Sequence, residues 1–295
     1  MPQIMTPEEI TLEYDTFGTP SDPALLLVSG YGTQMIGWAP ALCERLALAG
    51  RLVIRFDNRD CGLSAKLDGQ IADVGAIAAA AREGDGAKAR ALAPYTLSAM
   101  SDDALALLSA LGVERAHVVG ASMGGMIAQT MAIEHSQRVL TLTSMMSSTG
   151  EPAYGRATPE ANAVLLTPAP TDREGYIDAV EASLIWRSRR YPELSATREL
   201  RAESYDRCFY PEGLTRQLAA IIASGSRAEG LRSLKVPTLV IHGLDDTLIA
   251  PSGGERTAEL VPDARLLLIA DMGHDRPMAL WPQICDAIVE HTAGG

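Results

Sequence analysis

With 295 residues the chain exceeds the common size of a single domain, yet one sheet flanked by helices reaches this length. A composition of 47% hydrophobic and 21% charged residues excludes a disordered chain and supplies a large core. The 25 Lys and Arg against 37 Asp and Glu leave a formal charge of −12, which repels phosphate backbones and anionic lipid, so nucleic acid is not an expected partner.

Cys43, Cys61, Cys208 and Cys285 are scattered without a CxxC pair, which argues against a disulfide framework or zinc cluster and for buried thiols of a cytoplasmic protein. The first residues, MPQIMTPEEITLEY, lack a basic segment followed by an apolar one. No later apolar run approaches the roughly 20 residues that span a bilayer, so neither export nor a membrane anchor is expected. Repeats of the length that builds solenoids or propellers are absent from the sequence.

In chain order, short runs rich in Val, Ile and Leu predict buried strands at Leu25 to Val28, Leu52 to Phe56, His117 to Gly120, Val139 to Met145, Thr238 to Ile241 and Leu266 to Ile269. Helical patterns alternate with them at Trp38 to Ala49, Leu97 to Leu111, Met123 to His135, Gly254 to Leu260 and Pro277 to His291. Gly112 stands where a helix C-terminal cap belongs. Alternation of this kind is the mark of βαβ units and a parallel sheet.

Two stretches interrupt it. Asp68 to Pro94 is Ala-rich around a Gly84-Asp85-Gly86 turn and predicts one or two short surface helices. Residues 148–230 carry only helical patterns, among them a capping-box spacing at Thr171 and Glu174, and lie between the fourth and fifth predicted strands. The expected organisation is therefore a core of 1–147 and 231–295 with a helical cap inserted at 148–230.

Gly120-Ala121-Ser122-Met123-Gly124-Gly125 directly follows a strand and opens a helix, the context in which a serine is lifted above a sheet on a sharp turn. The flanking glycines leave room for backbone to pass close to backbone there. A serine hydroxyl needs an imidazole to take its proton. Of the five histidines, His117, His135, His242 and His291 fall in strands or at helix ends, whereas His274 lies in a loop after the last predicted strand. A carboxylate must orient that imidazole, and Asp245 and Asp246 both follow the strand Thr238 to Ile241. Two backbone N–H groups should face the developing oxyanion: Met123 after the nucleophile, and Tyr31 in the loop Ser29-Gly30-Tyr31-Gly32.

The series Gly120 to Gly125, His242-Gly243-Leu244-Asp245-Asp246 and Gly273-His274, in that order, resembles the α/β-hydrolase superfamily across nearly the whole chain. The resemblance implies a mostly parallel sheet of about eight strands flanked by helices, with an inserted lid. It also implies Asp246 as the acid, separated by two intervening residues from a strand-end His-Gly. Asp57 to Ser64 resembles a turn of that superfamily that is structural, and Ser29 stands where the family has a His before the oxyanion donor. Arg55 to Ser64 and Val118 to Gln129 look most similar to aclacinomycin methylesterase and its relatives, a group that resembles macrolide esterases and monoalkyl phthalate hydrolases.

The expected activity is hydrolysis of a small-molecule carboxylic ester through an acyl-enzyme on Ser122, His274 and Asp246. A lactonase, carbon–carbon bond hydrolase or perhydrolase on the same triad is the alternative, and a catalytically silent binding protein a lesser one. Haloalkane dehalogenation would want a carboxylate where Ser122 stands. Met35, Ile36, Trp38, Trp186, Met278 and Trp281 could line a pocket for a bulky apolar substrate, although such residues more often fill core. Arg187, Arg189 and Arg190 read more readily as a solvated helix face than as a receiver of an acidic substrate. No metal-ligand spacing, phosphate loop or dinucleotide fingerprint occurs, so no metal or cofactor is implied.

Overall fold

The computed structural model describes residues 2–293. Eight strands run in chain order as β1 (Gln3–Met5), β2 (Thr11–Phe17), β3 (Ala24–Val28), β4 (Leu52–Phe56), β5 (Ala116–Ala121), β6 (Val139–Met145), β7 (Thr238–Gly243) and β8 (Arg265–Ile269). They form one sheet in the order β1-β2-β4-β3-β5-β6-β7-β8. From β4 onward in that order every pairing is parallel, and only β1 and β2 run antiparallel to their neighbours.

Residues of β3 alternate between the two faces, as the pleat requires. Leu26 and Val28 join Ile54, Val118 and the helices Leu97–Ala110 and Met123–Glu134 on one side. Leu25 and Leu27 join Val53, Val119 and Ile241 with the helices Pro40–Leu48 and Trp281–Thr292 on the other. A sheet buried on both faces explains why the central strands read as unbroken apolar runs.

The strands β1 and β2 have no counterpart among the predicted runs. Gln3–Met5 is three residues long, and Thr11–Phe17 carries Glu13 and Asp15, so neither shows the continuous apolar signature of a central strand. Helices of the Ala-rich stretch, Val74–Arg82 and Gly86–Leu92, bury one face: Ile77 is fully buried against Ala219 and Ala223 of helix Glu212–Ser224. In the stretch between β6 and β7, the helix cap is Asp172 rather than Thr171; its carboxylate accepts the Gly175 N–H at the start of helix Arg173–Asp178. Helices Glu212–Ser224 and Ala228–Arg232 set Ala220 and Leu231 into the main core, so the end of this stretch packs with the sheet-flanking layer.

Because β3, β5, β7 and β8 are parallel, their C-terminal ends open on one edge of the sheet, where Ser29, Ser122, Asp246 and His274 follow them. No helix among the described residues is long and apolar enough to cross a membrane.

Candidate active site

Ser122 stands between β5 and helix Met123–Glu134 with φ +57° and ψ −121°, a backbone conformation that L residues seldom hold. The turn is fixed from both sides: the Ser122 N–H donates to Met145 O at 2.9 Å, and its carbonyl accepts from Gly125 N at 2.9 Å and Ser147 Oγ at 2.8 Å. A Cβ on Gly120 would lie 2.0 Å from Gly124 O, and one on Gly124 would lie 2.1 Å from Val28 O. Those two contacts give the steric reason for both glycines.

His274 Nε2 lies 2.9 Å from Ser122 Oγ, and its Nδ1 lies 2.7 Å from Asp246 Oδ2. Asp246 has a fully buried side chain. Its Oδ1 accepts the N–H groups of Leu248 at 2.9 Å and Ile249 at 2.8 Å. Burial acts to raise the Asp246 pKa, but the charge and hydrogen bonds of His274 and His242 outweigh it and hold the carboxyl down at about 2. An ionised acid, an imidazole and a hydroxyl thus form a continuous hydrogen-bonded chain. Asp245 turns elsewhere: its side chain reaches toward Arg189 Nε at 4.0 Å.

Met123 is the first residue of its helix, where leading N–H groups have no intrahelical acceptor and attract negative charge. The second expected donor sits on a loop that approaches Ser122, for a Cβ on Gly30 would lie 3.7 Å from Ser122 Oγ. Tyr31 follows directly; its ring packs against the core, and burial pushes its phenol up to about 12. Three side chains hold this loop. Gln217 Oε1 accepts the Gly32 N–H at 2.8 Å, Asn58 Nδ2 donates to Ser29 O at 3.0 Å, and Asp57 Oδ1 accepts the Met35 N–H at 2.7 Å. Asp57 is also paired with Arg207 of helix Leu194–Cys208 at 2.6 Å.

The six apolar candidates scatter. Met35 and Trp38 are 0% and 1% exposed; Trp38 packs with Leu25, Leu27 and Leu42 and lies 4.1 Å beneath the Arg276 guanidinium. Ile36 is buried in the short helical turn Met35–Gly37. Trp281 is half-buried and donates its indole N–H to Arg276 O, while Met278 is 54% exposed. Trp186 is half-buried, and its carbonyl touches the histidine loop. Arg189 and Arg190 are exposed, 4.0 Å from Asp245 and 2.9 Å from Asp271, as a solvated face would have them, whereas Arg187 is largely buried 3.3 Å from Asp275. Among the described residues, no group of three or more His, Cys, Asp and Glu side chains is arranged to hold a metal ion.

Sequence reasoning missed Gln217, Ser188 and the contact of His242 with Asp246. No local motif marks the first two, whereas His242 stood inside a quoted motif without a role.

A family model described as alpha/beta hydrolase fold matches residues 23–276. Rhodomycin D methylesterase DauP of Streptomyces sp. (strain C5) is 31% identical over 98% of this chain and 97% of its own length. Two solved structures share the fold: an enol-lactonase from Burkholderia xenovorans LB400, with TM-score 0.73 and 22% identity over 98% of this chain and 99% of its own, and a meta-cleavage product hydrolase from Pseudomonas fluorescens IP01, with TM-score 0.75 and 21% identity over 99% and 97%.

Proposed function

Because the chain belongs to the α/β-hydrolase family, we propose that Ser122, His274 and Asp246 cleave a carboxylic ester through an acyl-enzyme. The protein is a carboxylic ester hydrolase acting on a small molecule. One observation carries the assignment of residues: a single imidazole bridges the Ser122 hydroxyl at 2.9 Å and the Asp246 carboxylate at 2.7 Å.

Ser122 Oγ attacks the ester carbonyl carbon as His274 Nε2 takes its proton, and the N–H groups of Met123 and Tyr31 receive the oxyanion. Collapse of the tetrahedral adduct returns that proton to the departing alkoxide, which leaves as the alcohol. Water, deprotonated by the same nitrogen, then attacks the acyl carbon and frees the acid. Asp246 keeps Nδ1 protonated and stabilises the imidazolium between transfers. The substrate class is a bulky, mostly apolar ester, in keeping with a full-length relative named for a methylesterase activity on rhodomycin D. Within the helical stretch 148–230, the part before helix Glu212–Ser224 serves as the cap over it, while that helix packs into the core. Four unpaired cysteines suit a reducing compartment, which supports a cytoplasmic location.

Ser122→Ala should lower turnover of p-nitrophenyl esters by roughly 10⁴ to 10⁶ while the fold stays intact. Near-full activity in that variant would remove Ser122 as nucleophile. A panel adding lactones and vinylogous diketones tests the bond specificity: preferential turnover of either class would displace ester hydrolysis as the principal activity.

A further inference from the structure

Three consecutive residues of the histidine loop are each bonded to one short segment of the helical insertion. The Trp186 carbonyl accepts the backbone N–H of His274 at 2.6 Å. Ser188 Oγ accepts the Gly273 N–H at 2.9 Å and donates to Asp275 Oδ1 at 2.5 Å, and the same carboxylate oxygen takes the Ser188 N–H at 3.1 Å. Side chains on both loops reinforce the contact, with Arg187 Nε 3.3 Å from Asp275 Oδ2 and Arg190 Nη1 2.9 Å from Asp271 Oδ2. Backbones pass so closely here that a Cβ on Gly273 would lie 2.4 Å from Trp186 O.

Ser188 and Asp275 are 1% and 7% exposed, so separating them would strand buried polar groups. The loop that carries the imidazole lies beyond β8, outside the ladder; the Asp245 N–H holds Met272 O on one side of it, and the insertion supplies the partners of Gly273, His274 and Asp275. His274 must meet Ser122 and Asp246 at once, and a displacement of even 1 Å in such an arrangement can cost about 10²-fold in rate.

We infer that Ser188 and Asp275 are positioning residues for the His274 imidazole, and that Trp186–Arg190 is a fixed latch between the insertion and the histidine loop. The inference rests on the assignment of Ser122 and His274 given above. It means that the insertion is no free lid on this side: any opening that admits substrate leaves Trp186–Arg190 seated on the histidine loop.

The test compares the full-length wild type with Ser188→Ala, Asp275→Ala and Asp275→Asn in three measurements: kcat and KM on a p-nitrophenyl ester, the rate of Ser122 labelling by a fluorophosphonate, and the melting temperature. Ser188→Ala and Asp275→Ala should lose about tenfold or more in kcat and in labelling rate with KM within about twofold, whereas Asp275→Asn, which keeps an Oδ1 acceptor, should stay within about threefold of wild type. Where Ser188→Ala does not fold, the two Asp275 variants decide by the same pattern. Folded variants that only melt earlier, with kcat per labelled site and labelling rate unchanged, would overturn the positioning role. Absence of labelling in the wild type would instead remove the underlying assignment of Ser122.

Discussion

His242 Nε2 lies 3.4 Å from Asp246 Oδ2 and 2.8 Å from Ile249 O, so the proposed triad acid has a second imidazole at its back. With its proton on Nε2, His242 donates to the Ile249 carbonyl and faces the carboxylate with the same N–H. Asp246 therefore keeps its geometry without His274, and Asp246→Asn should fold normally. The substitution removes the charge that stabilises imidazolium and offers an amide N–H where an acceptor is needed, so kcat should fall by roughly 10⁴. Asp245→Asn should stay within about twofold, because that side chain is only 4.0 Å from a surface arginine. Comparable losses in the two variants would undo the assignment of the acid.

A strained nucleophile predicts an exchange of stability for function. Ser122 holds φ +57° and ψ −121°, which costs a residue with a Cβ about 1–3 kcal/mol. Ser122→Ala and Ser122→Gly remove the same hydroxyl, but glycine alone escapes the strain, at an entropic cost of about 0.5–1 kcal/mol. Ser122→Gly should thus melt at or above Ser122→Ala, with both inactive. A glycine variant that melts clearly lower would mean that the turn stores no such strain.

Where chemistry imposed a local pattern, the sequence disclosed it: the Gly-x-Ser-x-Gly turn and the loop histidine follow from steric and positional rules. Asp245 and Asp246 share one turn, and what separates them is direction. The Asp245 N–H is tied to Met272 O, while the Asp246 carboxylate turns inward onto the N–H groups of Leu248 and Ile249. No spacing rule encodes that choice, and family resemblance alone pointed to it. Ser188 meets Asp275 across 87 positions and Gln217 meets Gly32 across 185, so neither pair could leave a local signature. Trp38 illustrates the opposite limit, since an aromatic beyond the oxyanion loop reads alike whether it lines a cavity or fills the core.

Gln217 supports the oxyanion loop from helix Glu212–Ser224. It is 1% exposed, and its amide accepts the Gly32 N–H at 2.8 Å and donates to Arg59 O at 2.9 Å. Gln217→Leu leaves the part-buried Gly32 N–H and the buried Arg59 carbonyl unpaired, freeing the loop that carries Tyr31, and should lower kcat roughly tenfold with a smaller change in KM. Gln217→Glu keeps an acceptor for Gly32 and should retain more activity than the leucine variant. Steady-state kinetics on one ester would check the order, and a reversal would discard the support role.

Acid should destabilise the protein well before its carboxylates are exhausted, and the cause lies at the far end of β5. His117 is 1% exposed, with Nδ1 3.0 Å from Thr141 Oγ1. Burial, helped by the nearby charges of Arg51, His291 and Arg115, lowers its pKa from 6.5 to about 4, and burial lowers that of His291 as well. An imidazole whose folded pKa lies below its unfolded value favours the folded state fully above pH 6.5. As pH falls from there toward 4 the unfolded chain takes up the proton first, so up to about 3 kcal/mol of stability is lost across that window. Asp246 adds its own loss in a separate, more acidic window, below its ordinary value of 3.8 and toward 2, because its folded carboxylate resists protonation. Thermal melts from neutral pH down to about pH 4 should therefore show a falling midpoint in the wild type and a shallower fall in His117→Leu. Identical slopes would assign the acid sensitivity to other groups. Because His117 lies at the N-terminal end of β5 and Ser122 just beyond its C-terminal end, esterase activity in His117→Leu at neutral pH should match the wild type, which separates this stability effect from the chemistry of the triad.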